Sequence, residues 1–376
     1  MEKMVNKLFN NIYSGKKVLI TGNTGFKGSW LTIWLLKLGA KVYGISKGIP
    51  TNPSIFKTLD LESKITYYQE DLRNLDALKN IVNEIKPDFV FHLAAQPLVV
   101  TSYLDPIDTI STNVIGTAHI LESLRHSNHP CVGVIITSDK CYDNVEWVWG
   151  YKETDALGGK DIYSGSKGAA EVIIKSYYHS FFKDTQKSNT RVLSARAGNV
   201  IGGGDWADYR IVPDCIKAWS NNKKVDIRNP NATRPWQHVL EPLSGYLASA
   251  EALYNNIHLN GENFNFGPKP EYSQSVEELI TDLSKIFNYN EPADAYSATG
   301  DLEFHEAKLL KLNCDKALYY LKWLPALDYP EVIEFTGKWY YNYYHGDRTE
   351  LYKITLEQIE QYEKKAIEKG IKWAWL

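Results

Sequence analysis

Cysteine is scarce in this sequence of 376 residues, and the four that occur stand far apart, at Cys131, Cys141, Cys215 and Cys314. They form no CxxC pair, and none of the nine histidines is spaced as HxH or HxxxH. Zinc sites and disulfide frameworks depend on such closely spaced side chains. We therefore expect neither a metal nor a disulfide, and we expect the thiols to be reduced and mostly buried.

The sequence also has no long apolar run and no strong excess of one charge. No apolar stretch approaches the length needed to span a bilayer, and residues 1–13 lack the apolar segment of a signal peptide. The formal net charge of −3 gives no electrostatic reason to expect nucleic acid. We therefore predict a cytoplasmic globular protein that binds neither nucleic acid nor a membrane.

A glycine-rich turn lies between a predicted strand and a predicted helix near the start of the chain. Residues 18–20 form a short apolar run, Gly22, Gly25 and Gly28 follow it, and an apolar helical pattern runs from Trp30 to Leu38. Glycine lets the backbone turn tightly and approach a pyrophosphate, whose charge suits the free N–H groups at a helix N-terminus. This stretch predicts a dinucleotide-binding site.

Strand patterns alternate with helical patterns along the first half of the chain. Strands are predicted at residues 18–20, 41–45, 65–69, 88–93, 132–137 and 191–195, with a late strand at 262–267. This alternation is typical of the α/β class and of a Rossmann-type, doubly wound parallel sheet. We expect a dinucleotide-binding domain (1–195 and 237–267) and a smaller mixed α/β substrate lobe (196–236 and 268–376). Residues 357–375 are predicted to be a charged, exposed helix.

Tyr163 and Lys167 lie four residues apart at the start of the helix predicted after the fifth strand. They would share one helix face, where a cation beside a phenol stabilises the phenolate and lowers the tyrosine pKa. Such a tyrosine can act as a general base. Ser138, Asp139 and Lys140 follow the fifth strand, at the sheet edge where ligands of these folds bind.

The second strand does not end in the acidic residue that usually binds the adenosine ribose. Ser46 and Lys47 stand there instead, and Lys47 would suit a 2′-phosphate. NADP therefore stays open beside NAD at this point. Asp71 and Leu72, which follow the third strand, are predicted to contact the adenine.

Several motifs resemble the extended short-chain dehydrogenase/reductase family, whose members act on nucleotide sugars. GNTGFKG at residues 22–28, Ser138, and the pair Tyr163 and Lys167 carry this resemblance. Longer segments are similar to the CDP-glucose 4,6-dehydratases of that family, at residues 92–99, 137–142, 196–207, 233–246 and 305–317. The resemblance covers the chain from about residue 16 to about residue 340.

The resemblance implies roles for individual residues. The catalytic residues would be Ser138, Asp139, Lys140, Tyr163 and Lys167. NAD would be held by Gly22, Thr24, Gly25, Phe26, Gly28, Asp71, Leu72, Ala94, Ala95, Tyr163 and Lys167. The nucleotide sugar would be held by Gln96, Ser138, Asn199, Arg234 and His305. No metal is implied.

The implied reaction is an internal redox cycle on the sugar of a CDP-glucose. Tyr163 takes the C4 hydroxyl proton as hydride leaves C4; water is then lost across C5 and C6, and the hydride returns to C6. We hypothesise that Lys140 removes the C5 proton and that Asp139 protonates the leaving hydroxyl, since Lys167 and the nicotinamide would lower the pKa of Lys140. The rival hypothesis keeps Asp139 as the acid, with Lys140 only orienting the substrate or stabilising the enolate.

Other functions agree with parts of the pattern. The chain would also suit a 4,6-dehydratase of GDP-mannose, dTDP-glucose or UDP-glucose, or a nucleotide-sugar 4-epimerase. A non-catalytic nucleotide sensor on the same fold is disfavoured, because Ser138, Tyr163 and Lys167 are all present. The resemblance further implies deoxysugar biosynthesis, such as that of the lipopolysaccharide O-antigen. It also implies a homodimer or homotetramer formed through the helices predicted at residues 109–126 and 168–182.

Overall fold

The computed structural model describes residues 8–227, 229–269, 271–289, 291–298 and 309–375. The strands are β1 Lys17–Thr21, β2 Lys41–Ser46, β3 Thr66–Gln69, β4 Phe89–His92, β5 Cys131–Ile136, β6 Thr190–Ala197, β7 Val200–Ile201, β8 Val225–Ile227, β9 Thr233–Arg234, β10 Gln237–His238, β11 Asn263–Phe266, β12 Gln274–Ser275 and β13 Tyr296–Ala298. The helices are α1 Phe26–Lys37, α2 Ile55–Thr58, α3 Leu75–Ile85, α4 Val99–Leu104, α5 Pro106–Ile110, α6 Gly116–Arg125, α7 Ile162–Tyr177, α8 Ile211–Trp219, α9 Leu240–Asn255, α10 Val276–Ile286, α11 Pro292–Ala295, α12 Asp315–Leu321, α13 Tyr329–His345 and α14 Leu351–Glu368.

Seven strands form one central sheet in the order β11-β6-β5-β4-β1-β2-β3. Every neighbouring pair in it is parallel. Each residue of β4 and of β5 is buried, as the continuous apolar runs require when helices cover both faces of a sheet. The predicted doubly wound parallel sheet is confirmed, including the late strand, which pairs with β6 as β11.

The chain changes direction across the sheet at β1, which lies between β2 and β4. At the carboxyl end of β1, Thr21 is opposite Ile45 on one side and His92 on the other. The connections that leave these strands diverge to the two faces of such a sheet, and a crevice opens between them. The fold therefore places the ligand site next to the glycine turn that follows Thr21.

Helix α1 is buried around most of its circumference because two layers cover it. The sheet lies on one side and the C-terminal helix α14 on the other. Trp30 donates from Nε1 to the Gly203 carbonyl at 2.9 Å, and Trp34 donates from Nε1 to Glu363 of α14 at 2.9 Å. The prediction that the helix near residues 357–375 is exposed is therefore wrong.

The smaller elements lie beyond the carboxyl edge of the sheet. They include three two-stranded pairs, β7 with β10, β9 with β12 and β8 with β13, and helices α8, α10 and α13. The division into two lobes stays a proposal, with one qualification. The segment from residue 351 onward, which the proposed division assigns to the substrate lobe, packs on α1 of the dinucleotide-binding half.

The four cysteines are unpaired, and three of them are buried. Among the described residues no helix has the length and apolar character needed to cross a membrane.

Candidate functional site

A cavity of about 980 Å³ opens at the carboxyl edge of the sheet, where β1, β4 and β5 end. It brings together all but one of the residues predicted to be functional: Gly22, Thr24, Gly25, Phe26, Gly28, Asp71, Leu72, Ala94, Ala95, Gln96, Ser138, Asp139, Lys140, Tyr163, Lys167, Asn199 and Arg234. The remaining one, His305, lies outside the described residues. Its volume lies at the upper end of the range of about 300–1,000 Å³ that is typical of small-molecule and cofactor sites.

The glycine turn has no room for side chains at two of its three glycines. Gly22 has a φ of +77°, and a Cβ there would lie 2.7 Å from the Ala94 nitrogen. A Cβ on Gly28 would lie 2.1 Å from the Gly22 carbonyl oxygen. Gly25 precedes the first residue of α1, and no side chain caps this helix end. The uncapped N–H groups and the close backbone approach suit a pyrophosphate, so these residues are compatible with a dinucleotide.

At the far end of the cavity, the Asp71 carboxylate is already paired. Arg73 contacts it at 2.5 Å and Lys47 at 3.5 Å, and the hydrogen bonds from Arg73 hold the pKa of Asp71 at about 2. Ser46 donates its hydroxyl hydrogen to Asn23 Oδ1 at 2.8 Å. Arg73 also contacts Asp108 at 2.7 Å, so the two cations, Lys47 and Arg73, are matched by two carboxylates. This leaves less positive charge for a 2′-phosphate than the sequence suggested.

Tyr163 and Lys167 lie in the first turns of α7, and both are buried, with 8% and 6% of their surface exposed. Asp161 begins the helix by accepting a hydrogen bond from the Ser164 backbone at 2.9 Å. The Lys167 Nζ atom is 6.0 Å from the centre of the Tyr163 ring. The predicted shared face is therefore present.

The expected lowering of the Tyr163 pKa is not found. Burial raises the pKa of Tyr163 to about 12, because a phenolate loses its hydration there. The nearby Ser138 hydroxyl opposes this rise, and the Asp139 carboxylate adds to it. Burial also lowers the pKa of Lys167 to about 8, against the influence of Cys141 and Glu171.

Ser138, Asp139 and Lys140 form a tight turn at the end of β5, opposite the face of α7 that carries Tyr163. The Ser138 hydroxyl donates to Asp139 Oδ1 at 2.9 Å and accepts from the Lys140 backbone nitrogen at 3.3 Å. Asp139 is buried, whereas Lys140 is half-buried, and both line the cavity. A hydroxyl, a carboxyl and two amines therefore line the same cavity as the phenol.

The predicted substrate residues differ in how they line the cavity. Gln96 is held by its own loop, because its side chain accepts from the Leu98 nitrogen at 2.6 Å and donates to Thr109 at 2.8 Å. Asn199 uses its carbonyl to accept from the backbone of β10. Arg234 is 5% exposed and donates to the Thr233 carbonyl at 2.9 Å. Their roles toward a substrate stay predictions.

The charged side chains of the cavity that sequence reasoning missed include Lys27, Asp205 and Arg210. Arg210 pairs with Asp205 at 2.6 Å, and this carboxylate raises the pKa of Arg210. The positive charge of Arg210 in turn opposes the rise that burial causes in the pKa of Tyr163. Burial and, to a lesser degree, the positive charge of Arg210 together lower the pKa of Lys27 to about 8. The only sequence signal was the place of Lys27 between the second and third glycines. Among the described residues, no cluster of His, Cys, Asp or Glu could hold a metal ion.

Comparison with known families identifies the chain. The family model described as GDP-mannose 4,6 dehydratase matches residues 19–336. The chain belongs to the GDP-mannose 4,6-dehydratase family. A curated CDP-glucose 4,6-dehydratase of Salmonella typhimurium is 44% identical over 339 residues, which are 90% of this chain and 94% of that protein. The resemblance predicted from the motifs is therefore confirmed.

Solved structures agree with the fold of this dehydratase family. The epimerase Mth375 of Methanothermobacter thermautotrophicus superposes with a TM-score of 0.75 at 22% identity, covering 96% of this chain and 98% of that one. A dTDP-glucose 4,6-dehydratase of Bacillus anthracis in complex with NAD gives a TM-score of 0.70 at 19% identity, covering 87% and 96%. At these identities the likeness is one of fold.

Proposed function

We propose that this protein converts CDP-glucose to CDP-4-keto-6-deoxyglucose with a bound NAD. The observation that carries the proposal is the convergence, in one cavity, of Tyr163 and Lys167 with Ser138, Asp139 and Lys140. The 44% identity to a CDP-glucose 4,6-dehydratase over nearly the whole chain supports the choice of substrate. The product is a precursor for deoxysugars, such as those of O-antigens.

The cofactor proposal rests on the glycine turn. The backbone segments approach so closely at Gly22 and Gly28 that neither position has room for a side chain, and both lie next to the open N-terminus of α1. Gly22, Thr24, Gly25, Phe26 and Gly28 would hold the diphosphate, with Ala94 and Ala95 beside it. Asp71 and Leu72 would meet the adenine, and Tyr163 and Lys167 the nicotinamide ribose. NAD, when bound, accepts the hydride from C4 and returns it to C6.

The chain's own residues supply the proton transfers. Tyr163 takes the C4 hydroxyl proton, and Ser138, beside the phenol, orients the same oxygen. The cationic Lys167 favours the phenolate at the moment of transfer. The C4 ketone then acidifies C5, so that Lys140 can remove the C5 proton and Asp139 can protonate the departing C6 hydroxyl. As the hydride returns to C6, Lys140 would give its proton back to C5. Burial of Asp139 limits water at this step.

Substrate recognition is proposed for the opposite wall of the cavity. The guanidinium of Arg234 suits a diphosphate better than lysine does, because its planar donors match phosphate oxygens in pairs. Asn199 is proposed to contact the nucleotide sugar, as is Gln96 through the loop that it holds in place. His305 is retained in this role on the sequence resemblance alone.

One experiment separates the proposal from its alternatives. Purified protein is incubated, without added cofactor, with CDP-glucose, dTDP-glucose, UDP-glucose or GDP-mannose, each carrying deuterium at C4. We expect CDP-glucose to give a 4-keto-6-deoxy product with the deuterium at C6. Deuterium that stays at C4 in a sugar of inverted configuration would identify an epimerase. Preferred turnover of GDP-mannose would favour the activity named by the family model.

We also propose a homodimer formed through the helices predicted at residues 109–126 and 168–182, which cover α6 and most of α7, together with α4 and α5, which pack on α7 beside them. These helices pack on each other and leave large apolar side chains exposed, among them Leu104, Ile107, Val172 and Phe181. Sedimentation should show that Ile107→Asp gives monomers, whereas Tyr319→Asp, at an equally exposed position on α12, does not. A wild-type monomer would refute this proposal.

The proposed location is the cytoplasm. The four cysteines are free thiols, which is usual for proteins of that reducing compartment.

A further inference from the structure

Glu171 is the third polar residue on the helix face that carries Tyr163 and Lys167. The three residues follow one another at intervals of four along α7, so Glu171 lies two turns below the phenol. It is 4% exposed, and it does not line the cavity. Its carboxylate therefore acts on neighbouring protein groups and not on a ligand.

The Glu171 carboxylate joins α7 to the ends of two central strands. Its Oε1 atom accepts a hydrogen bond from the hydroxyl of Thr137, the residue after β5. Its Oε2 atom accepts from Ser194 of β6 at 2.8 Å and from Arg196 of β6 at 2.8 Å. Thr137 is followed directly by Ser138, Asp139 and Lys140, so one carboxylate oxygen fixes the start of that turn.

Arg196 keeps this carboxylate charged inside the protein. Burial alone would raise the pKa of Glu171, but the Arg196 guanidinium overcomes that effect and holds the pKa below its usual value. Only about 1% of the Arg196 side chain and 3% of the Glu171 side chain are exposed. A charged acceptor makes shorter and stronger hydrogen bonds than a neutral one, which limits movement of Thr137.

Arg196 extends the connection toward the smaller lobe. It donates to the Tyr142 hydroxyl at 2.7 Å, and Tyr142 donates to Asn265 of β11 at 2.8 Å. Asn265 in turn donates to the Asn313 carbonyl at 3.1 Å. Tyr142 directly follows the turn of residues 138–141, so this turn is held at both ends by one buried polar network.

We propose that Glu171 is a positioning residue that sets the distance between the elimination groups, Asp139 and Lys140, and the redox groups, Tyr163 and Lys167. The first set lies on the end of β5 and the second on α7, and the hydrogen bond between Thr137 and Glu171 links the two elements directly. The inference rests on the proposed dehydratase function. It predicts that loosening this bond slows water loss from the sugar more than C4 oxidation.

Two hydroxyls that bond the same carboxylate provide the test. Thr137→Val and Ser194→Ala each remove one hydroxyl donor to Glu171, but only Thr137 adjoins the catalytic turn. NAD-loaded wild type and variants are mixed with CDP-glucose in single turnovers. The absorbance of reduced nicotinamide reports C4 oxidation, and the yield of 4-keto-6-deoxy product reports elimination. Thermal unfolding shows whether each variant is folded.

We expect Thr137→Val to lower elimination at least about tenfold more than oxidation, so that reduced nicotinamide accumulates. Thr137→Ser, which keeps the hydroxyl, should restore the wild-type ratio of the elimination rate to the oxidation rate. Ser194→Ala should leave this ratio unchanged. Glu171→Asp, which keeps the charge but shortens the reach, should act like Thr137→Val and serves if that variant does not fold. Equal ratios in all variants would overturn the inference alone. Absence of product with wild type would overturn the proposed function and the inference together.

Discussion

The Lys167 ammonium lies 6.0 Å from the centre of the Tyr163 ring, in a part of the cavity where burial moves their two pKa values apart. Tyr163 has its pKa raised to about 12 and Lys167 has its pKa lowered to about 8. The active form needs a phenolate beside an ammonium, which is the minor protonation state at every pH. The pair therefore sets how the first chemical step depends on pH.

We expect the single-turnover rate of C4 oxidation to rise with pH up to about 8 and then to level off. Below that pH each unit gives about ten times more phenolate while Lys167 stays charged. Above it, the gain in phenolate is matched by loss of the ammonium. Stopped-flow absorbance of reduced nicotinamide measures this profile. In Lys167→Met the change of slope near pH 8 should disappear, and the rate should be lower at every pH. A change of slope that remains in this variant would assign it to a group other than Lys167.

Lys140→Met separates the two hypotheses for removal of the C5 proton. If Lys140 is the base, C4 oxidation continues while formation of the 4-keto-6-deoxy product falls by about 10²- to 10⁴-fold, the usual contribution of a general base. Exchange of the C5 hydrogen with deuterated solvent should be lost to the same degree. Lys160 is exposed and lines the same cavity, so Lys160→Met is the matched control. Undiminished dehydration in Lys140→Met would remove that lysine from the mechanism.

Gly28→Ala should abolish retention of NAD, because the new Cβ would lie 2.1 Å from the Gly22 carbonyl oxygen. The turn must shift to relieve this contact, at a cost of about 1–3 kcal/mol in unfolding free energy. Gly165→Ala is the control, since nothing lies within 4 Å of its new Cβ. The Gly165→Ala variant should keep the cofactor. Its free energy of unfolding should rise by about 0.5–1 kcal/mol, because alanine is more stable than glycine inside a helix. Cofactor content of the purified proteins and urea unfolding measure both effects, and full NAD content in Gly28→Ala would contradict the proposed cofactor site.

The sheet and the main site residues could be predicted because their signals are local. Buried parallel strands are continuous apolar runs, the glycine turn has a fixed spacing, and Tyr163 and Lys167 are one helical turn apart. Lys27 and Arg210 were missed because they line one cavity from distant parts of the chain, and no sequence spacing records that they lie near enough to influence each other's charge. The covering of α1 by α14 was missed for a related reason. The buried positions of α14, among them Thr355, Ile359 and Tyr362, are interspersed with Glu and Lys that make the segment look exposed.

The C-terminal segment should therefore contribute to stability as part of the core. Trp373 is 3% exposed and stacks on Phe9, with ring centres 4.8 Å apart, and on Tyr362 at 5.8 Å. Trp373→Ala removes these contacts and should lower the free energy of unfolding by about 3–5 kcal/mol. Trp375 is the matched control, because it is 54% exposed and donates one hydrogen bond, to the Ile367 carbonyl. Replacement of Trp375 by alanine should lower the free energy of unfolding by only about 1 kcal/mol. Urea unfolding of the two variants measures the difference; equal losses would mean that the segment after α14 does not pack on α1 in solution.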